Sequence, residues 1–133
     1  MAKSWEEKFN TSKGNVVKQI NKAFADMPEG TVMYIATPKI IDDYINQLGP
    51  GVFVDTKVIR EDLAEENNAE KTCPVTTGIF LRIVAERAYE QFENGKSLKE
   101  ITPFWRAIPE NSKLAKKLSF GTEFLKRQRK FEK

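Results

Sequence analysis

A periodic apolar stripe between Pro74 and Gly95 restricts the fold of this chain more than any other part of its sequence. Its members recur every three or four positions, as on one face of a helix: Ile79, Phe80, Ile83, Val84, Ala88 and Phe92. Pro74 suits the first helical position, and Thr72 or Cys73 suits the cap before it. Gly95 suits the residue after the helix end. The pattern therefore predicts one long helix with a single buried face.

Shorter apolar patterns predict four further helices and a small amount of strand. The helices are expected at about 14–27, at 38–48 after a Thr37 cap, at about 56–64 after Asp55 or Thr56, and from about Thr122 onward. Residues 31–35 are predicted to form a short strand, and residues 52–54 a strand or an extended link. A lysine-rich irregular segment is expected before Gly121. The fold class is therefore predicted to be mainly α with a small β component.

The helices predicted on either side of the polar stretch 65–70 resemble a helix-turn-helix pair in their spacing.

A length of 133 residues suits one domain with its own core. No apolar run approaches the roughly 18 residues of a membrane span. Residues 1–10 lack the apolar segment of a signal peptide, and Cys73 is the single cysteine. These features predict a cytoplasmic domain.

The absence of histidine narrows the chemistry that this chain can perform. Imidazole is the usual general base near neutral pH and a usual zinc ligand, so Ser-His-Asp and Cys-His sites are excluded. Cys73 with carboxylates would make a poor zinc site. Four carboxylates lie close together in the chain and are interpreted as a solvated helix face rather than as a metal site: Glu61, Asp62, Glu65 and Glu66. We expect no cofactor and no enzymatic activity.

Positive charge is concentrated at the C-terminal end of the sequence. Residues 101–133 contain nine Lys or Arg and three Glu, whereas the whole chain has a net charge of only +3. Such a segment is typical either of a solvated terminal helix or of a phosphate-binding surface.

Small residues follow Pro74 at the start of the long predicted helix. Thr76, Thr77 and Gly78 would let a phosphate backbone approach the unpaired N–H groups of the first turn. They would equally serve to cap the helix and pack it tightly. Cys73 would either pack as a small apolar side chain or react as a thiolate activated by the helix.

The segment Pro103, Phe104, Trp105 and Arg106 is open to two interpretations. Adjacent aromatic side chains usually belong to the core, but they also form stacking platforms beside phosphate-binding arginines. Periodicity does not separate these alternatives.

The order of these motifs resembles the DNA-binding domain of the alkylguanine-DNA alkyltransferase and alkyltransferase-like family. The family's Pro-Cys-His-Arg signature, followed by a small apolar residue, corresponds to Pro103-Phe104-Trp105-Arg106-Ala107. The family's Leu-Ala pair corresponds to Leu63-Ala64, and the Asn-Pro before its recognition helix corresponds to Cys73-Pro74. The turn of its wing corresponds to Ser119-Phe120-Gly121, and its final helix corresponds to the helix with Phe124 and Leu125. The resemblance covers about residues 38–132.

This resemblance implies a winged helix-turn-helix over residues 37–133, with residues 1–36 as an N-terminal helix and strand extension of one domain. It also implies that catalysis is lost. Phe104 replaces the alkyl-acceptor cysteine and Trp105 replaces the activating histidine. The arginine that enters the base stack corresponds to Gly78, and the tyrosine that helps to turn the target phosphate falls near Arg60.

The resulting hypothesis is a non-catalytic protein that binds double-stranded DNA, possibly alkylated, and does not bind membranes. The predicted nucleic-acid contacts are Arg60, Thr76, Thr77, Gly78, Arg106, Lys113, Lys116 and Lys117. The predicted remnant of the base pocket is Pro103, Phe104 and Trp105. A second hypothesis is a protein-interaction module that kept the fold and lost DNA binding, and a third is an alkyl acceptor that uses Cys73.

Overall fold

The computed structural model describes residues 3–11 and 13–133, so the predicted domain is described except for residues 1, 2 and 12. The elements follow the order α1 (Trp5–Phe9), β1 (Val16–Gln19), β2 (Val32–Ile35), α2 (Pro38–Asn46), α3 (Thr56–Glu66), β3 (Lys71–Thr72), α4 (Pro74–Glu93), a 3₁₀ turn (Phe104–Arg106), α5 (Lys113–Lys117) and α6 (Glu123–Glu132). The fold is a mixture of helix and strand in which helix predominates, as the sequence predicts.

The three strands form one small sheet with β2 in the centre. β1 pairs antiparallel to β2 with Val16 opposite Ile35, and β3 pairs parallel to β2 with Tyr34 opposite Thr72. The helix predicted for residues 14–27 is wrong, because this segment contains β1 and an isolated bridge between Phe24 and Met27. Its apolar residues fit helical spacing, but pairing with β2 determines the conformation.

The caps predicted for α2 and α3 are confirmed. Thr37 accepts a hydrogen bond at its side chain from the N–H of Ile40 at 3.1 Å, and Asp55 accepts one from the N–H of Val58 at 3.0 Å. Residues 52–54 form an extended link and not a strand. This link is tied to the 3₁₀ turn, because the N–H of Val54 donates to the carbonyl of Arg106 at 2.8 Å.

α4 runs through the centre of the molecule and packs against α1, α2 and α3. Most of its predicted face is buried or half-buried, and Leu81, Val84, Ala85 and Ala88 form its innermost row. Ile79 is an exception, since 52% of this residue is exposed. The prediction for Ile79 is therefore wrong, and the N-terminal third of α4 presents an apolar side chain to solvent.

The segment after α4 contains helices but no strand in the described residues 94–133. The lysine-rich segment, predicted to be irregular, contains the short helix α5, and α6 begins at Glu123 as expected. The sheet is built from residues that precede α4, so the wing that the family resemblance implies after the recognition helix is not found there. A winged-helix fold is therefore not confirmed.

Six aromatic side chains from α4, the 3₁₀ turn and the C-terminal segment pack together: Tyr89, Phe92, Phe104, Trp105, Phe120 and Phe124. Phe124 lies in the middle, with ring centroids 5.2 Å from Tyr89 and 5.5 Å from Phe104. This cluster attaches α6 to the rest of the core. None of the helices in the described part of the chain has both the length and the apolar character needed to cross a bilayer.

Candidate functional site

Phe104 does not line a pocket, contrary to the prediction of a remnant base pocket. Its side chain is completely buried, and the rings of Trp105, Phe120 and Phe124 lie 5.5 to 5.7 Å from its own. A flipped base cannot enter at Phe104 without displacing this packing. Of the two interpretations of the Phe104–Trp105 pair, the structure therefore supports the core.

Arg106 is held inside the molecule, which corrects its prediction as a phosphate contact. Its Nη2 lies 2.9 Å from Oε2 of Glu132, and its Nη1 donates to the carbonyl of Leu48 at 2.7 Å. Trp105 donates to the same Glu132 carboxylate through Nε1 at 2.8 Å. These two side chains fix the end of α6 against the 3₁₀ turn, so they are not available to phosphate.

Arg60 likewise has an internal partner rather than a free guanidinium. Its two terminal nitrogens bind the carboxylate of Asp26 at 2.9 and 3.0 Å, and its Nε donates to the carbonyl of Thr72 at 2.8 Å. The hydrogen bond from Arg60 is the main cause of the lowered pKa of Asp26. Arg60 therefore ties the 20–31 loop to α3 and β3, and its predicted contact with DNA is not supported by this geometry.

The predicted residues at the start of α4 divide between core and surface. Thr77 is fully buried, and its hydroxyl donates to the carbonyl of Cys73 at 2.7 Å, which corrects its prediction as a nucleic-acid contact. Thr76 is half-buried, and its hydroxyl has no hydrogen-bond partner among the described residues. Gly78 lines a surface groove, and a Cβ placed there would meet no atom within 4 Å. Of the three, Gly78 is the one that lines this groove.

This groove, which we call the α4–α5 groove, has a volume of about 800 Å³ and lies between α1, the first half of α4 and α5. Lys113 and Lys117, both predicted contacts, lie beside Gly78 along it. Lys116 is exposed on the same short helix but does not line the groove. The structure thus brings three of the eight predicted nucleic-acid contacts to one surface.

Positive charge dominates the α4–α5 groove. Four cationic side chains line it, and none of the described residues that line it is acidic: Lys8, Arg82, Lys113 and Lys117. The Nζ of Lys8 lies 4.3 Å from the centre of the Trp5 ring, and the guanidinium of Arg82 lies 5.4 Å from it. A groove with one sign of charge and partly apolar walls attracts anions from solution.

A buried carboxylate holds one groove cation and the turn after α5 in position. Glu86 is almost completely buried and accepts a bond from Nε of Arg82 at 3.4 Å. The same carboxylate accepts bonds from the N–H of Ser119 at 2.8 Å and from its hydroxyl at 2.5 Å. Glu86 thereby links the groove cation on α4 to the turn that follows α5.

Lys8, Arg82 and the exposed pair Val75 and Ile79 were not predicted as site residues. Val75 and Ile79 lie four positions apart on α4, are 50% and 52% exposed, and line the groove. The spacing of Val75, Ile79 and Arg82 places them on one helix face, so this face was recognisable from the sequence. Lys8 belongs to α1, and its proximity to α4 depends on tertiary packing.

No protein-family model, curated protein or solved structure matches this chain. The resemblance to the alkyltransferase family therefore remains a hypothesis that rests on the short motifs given above.

Cys73 is a buried residue and lines neither the α4–α5 groove nor any other site described above. It is buried in a small cluster with Met27 and Met33, and Ile20 and Ile35 pack against that cluster. An alkyl-acceptor role would require this thiol to become exposed, so the burial agrees with the alternative that Cys73 packs. The described residues contain no group of three or more Cys, Asp or Glu side chains arranged to hold a metal ion.

Proposed function

We propose that this chain is a non-enzymatic DNA-binding protein that contacts the phosphate backbone through the α4–α5 groove. The observation that carries the proposal is that four cations and no acidic residue line the groove, with the carboxylate of Glu86 buried behind Arg82. Two of them, Lys113 and Lys117, belong to the segment whose charge suggested phosphate binding. Cations placed along a groove bind successive phosphates and release counterions, which makes the affinity strongly dependent on salt.

The proposed contacts differ from those expected for the family. Gly78, Lys113, Lys117, Lys8 and Arg82 line the groove and would face the backbone, whereas Thr76 does not line it. Phe104 fills the space that a flipped base would need. We therefore expect the protein to bind unmodified and alkylated duplexes with the same affinity.

The decisive measurement is a salt titration of binding to a fluorescent DNA duplex, starting at about 50 mM salt where phosphate contacts are strongest. The double variant Lys113→Ala/Lys117→Ala should bind more weakly, and its log–log salt slope should be shallower by roughly 2, since each phosphate contact contributes about 0.9. The control Lys18→Ala/Lys22→Ala removes the same charge from exposed positions outside the groove. Absence of binding at low salt, or equal losses in both variants, would refute the proposal.

A second candidate function is binding of an acidic protein segment, and it is favoured by the exposed side chains of Val75 and Ile79. A phosphate backbone gains little from apolar contacts, whereas an amphipathic helix would cover both residues with its apolar face. The four cations of the groove would then pair with acidic residues at the edge of that helix.

The two candidates respond differently to loss of the apolar contacts. Val75→Ser/Ile79→Ser should leave the DNA affinity within about twofold, because the charges that bind phosphate remain. The same variant should abolish binding of a synthetic helical peptide with Leu on one face and Glu on the other. Fluorescence anisotropy with both probes, on the same protein samples, separates the two functions.

A further inference from the structure

A second cavity lies at the C-terminal end of α6, and we call it the α6 cavity. It has a volume of about 480 Å³ and shares no residue with the α4–α5 groove. Leu98, Pro103, Trp105 and Phe131 contribute flat or apolar surface to its walls. Pro103 and Trp105 therefore line a cavity, although Phe104, which lies between them in the chain, is not one of its lining residues. The volume is within the range of small-molecule sites.

Gln128 is the unusual residue of the α6 cavity. It is only 8% exposed, it lines the cavity, and its carboxamide makes no hydrogen bond with any side chain or backbone group of the described residues. The neighbouring polar groups are different, because Trp105 and Arg106 are both bound to Glu132. The Gln128 carboxamide is not among the buried polar groups that lack a partner, so it reaches solvent through the cavity, where its donor and acceptor are available to a ligand.

A cation and an exposed aromatic ring complete the cavity. Lys99 lines it and forms no ion pair with the described residues. Phe131 is 80% exposed, although phenylalanine is usually buried. An aromatic ring held in water beside an apolar cavity can cover the face of a flat ligand, and Lys99 can bind an anionic group attached to that ligand.

We propose that the α6 cavity binds the purine base of a nucleotide. A carboxamide pairs through its donor and acceptor with the N6 and N7 edge of adenine, which is the bidentate contact that glutamine makes to this base. Phe131 supplies an exposed aromatic face for the ring, and Lys99 supplies charge for the phosphate. The base belongs either to a free mononucleotide or to an unpaired position of a strand. This site is independent of phosphate binding in the α4–α5 groove.

The test uses the full chain with Trp5→Phe, so that Trp105 is the one remaining tryptophan and its fluorescence reports on the cavity. AMP and a short single-stranded oligo(dA) are titrated separately to distinguish the two sources of the base. Gln128→Leu should weaken binding roughly tenfold or more, because it removes both hydrogen bonds to the base. It should not lower the thermal midpoint, because the carboxamide has no partner within the described fold.

Two further variants keep the proposal falsifiable if Gln128→Leu does not fold. Phe131→Ser changes an exposed side chain and should weaken binding of both probes, whereas Lys126→Ala, on α6 but outside the cavity, should bind as the parent does. Lys113→Ala/Lys117→Ala should retain AMP binding even if it loses duplex binding, which separates this site from the proposed DNA function. Absence of binding of both probes at millimolar concentration, or parent-like affinity in both the Gln128→Leu and the Phe131→Ser variants, would overturn the inference.

Discussion

Individual aromatic and arginine side chains were the most informative residues in the sequence and the most ambiguous. Phe104, Arg60 and Arg106 each fit a role at a nucleic-acid surface by residue type alone. Their roles depend on what lies beside them: the aromatic cluster around Phe104, Asp26 at Arg60, and Glu132 at Arg106. The paired guanidinium groups of Arg60 and Arg106 are mostly buried and are removed from the candidate site, whereas Arg82 keeps 37% of its side chain exposed beside Glu86.

Replacement of Phe104 should measure the strength of the aromatic core. Phe104→Ala should lower the free energy of unfolding by about 3–5 kcal/mol, because it leaves a cavity among Trp105, Phe120 and Phe124. Denaturant unfolding followed by circular dichroism gives this value. The matched control is Phe131→Ala, at a residue that is 80% exposed, which should change stability by less than about 0.5 kcal/mol. Equal effects would contradict the assignment of Phe104 to the core.

At the scale of secondary-structure elements, local hydrogen bonds explain why most helices were predictable and β1 was not. The caps of α2 and α3 are made by residues three positions away in the chain, so the sequence contains both partners. β1 is defined by pairing with β2, which is more than ten residues distant. Its own residues carry no comparable local contact.

The α3 cap provides a direct test of this local contribution. Asp55→Ala should destabilise the protein by about 1 kcal/mol, because the N–H of Val58 loses its acceptor. Thr122→Ala is the matched control, since Thr122 precedes α6 without accepting a side-chain hydrogen bond. Thermal or denaturant unfolding of the two variants should rank Asp55→Ala as the more damaging. The opposite ranking would show that the cap geometry does not set the stability of α3.

The turn before β1 depends on a close backbone approach. Gly14 has a φ of +120°, and a Cβ there would lie 2.1 Å from the carbonyl oxygen of Ala36. Gly14→Ala should therefore disrupt the contact between this turn and the end of β2, with a loss of more than about 3 kcal/mol. Gly95→Ala, at a φ of +109° with no atom within 4 Å, should cost only the backbone strain of about 1–2 kcal/mol. Similar losses in unfolding experiments would argue against the clash at Gly14.

At the scale of the whole molecule, contacts between distant segments hold the C-terminal half together. Glu132 joins α6 to the 3₁₀ turn through Arg106 and Trp105, and it also accepts a bond from the N–H of Gly51 at 2.8 Å. Burial by itself raises the pKa of Glu132, but the hydrogen bonds outweigh burial and leave the pKa below its ordinary value of 4.5.

This lowered pKa predicts how stability changes with acid. The contribution of Glu132 is complete above pH 4.5 and is lost as the pH falls through the lower pKa of the folded state. Glu132→Gln should lower the free energy of unfolding by about 1–3 kcal/mol at pH 7. Between pH 5 and pH 3, the variant protein should lose less stability than the unmodified chain, because it no longer has this carboxylate to protonate. The measurement is denaturant unfolding across this range. Glu123→Gln, at a side chain that is 83% exposed, should follow the unmodified chain.

The sequence by itself determined the positions of α2, α3, α4 and α6, the caps of α2 and α3, and the concentration of basic residues near the C-terminus. These features rest on residues within a few positions of one another, where spacing and side-chain chemistry are sufficient. It also determined that histidine chemistry is excluded. Lys113, Lys117 and Gly78 were chosen from the sequence and share one groove in the structure.

Tertiary structure alone decided which charged and aromatic residues remain available for binding. Arg60 and Asp26 are 34 residues apart, and Arg106 contacts Leu48 across 58 residues. Partners at such separations have no local pattern, because packing rather than chain proximity brings them together. The same reason applies to the α4–α5 groove and the α6 cavity, whose walls come from segments that meet only in the folded chain.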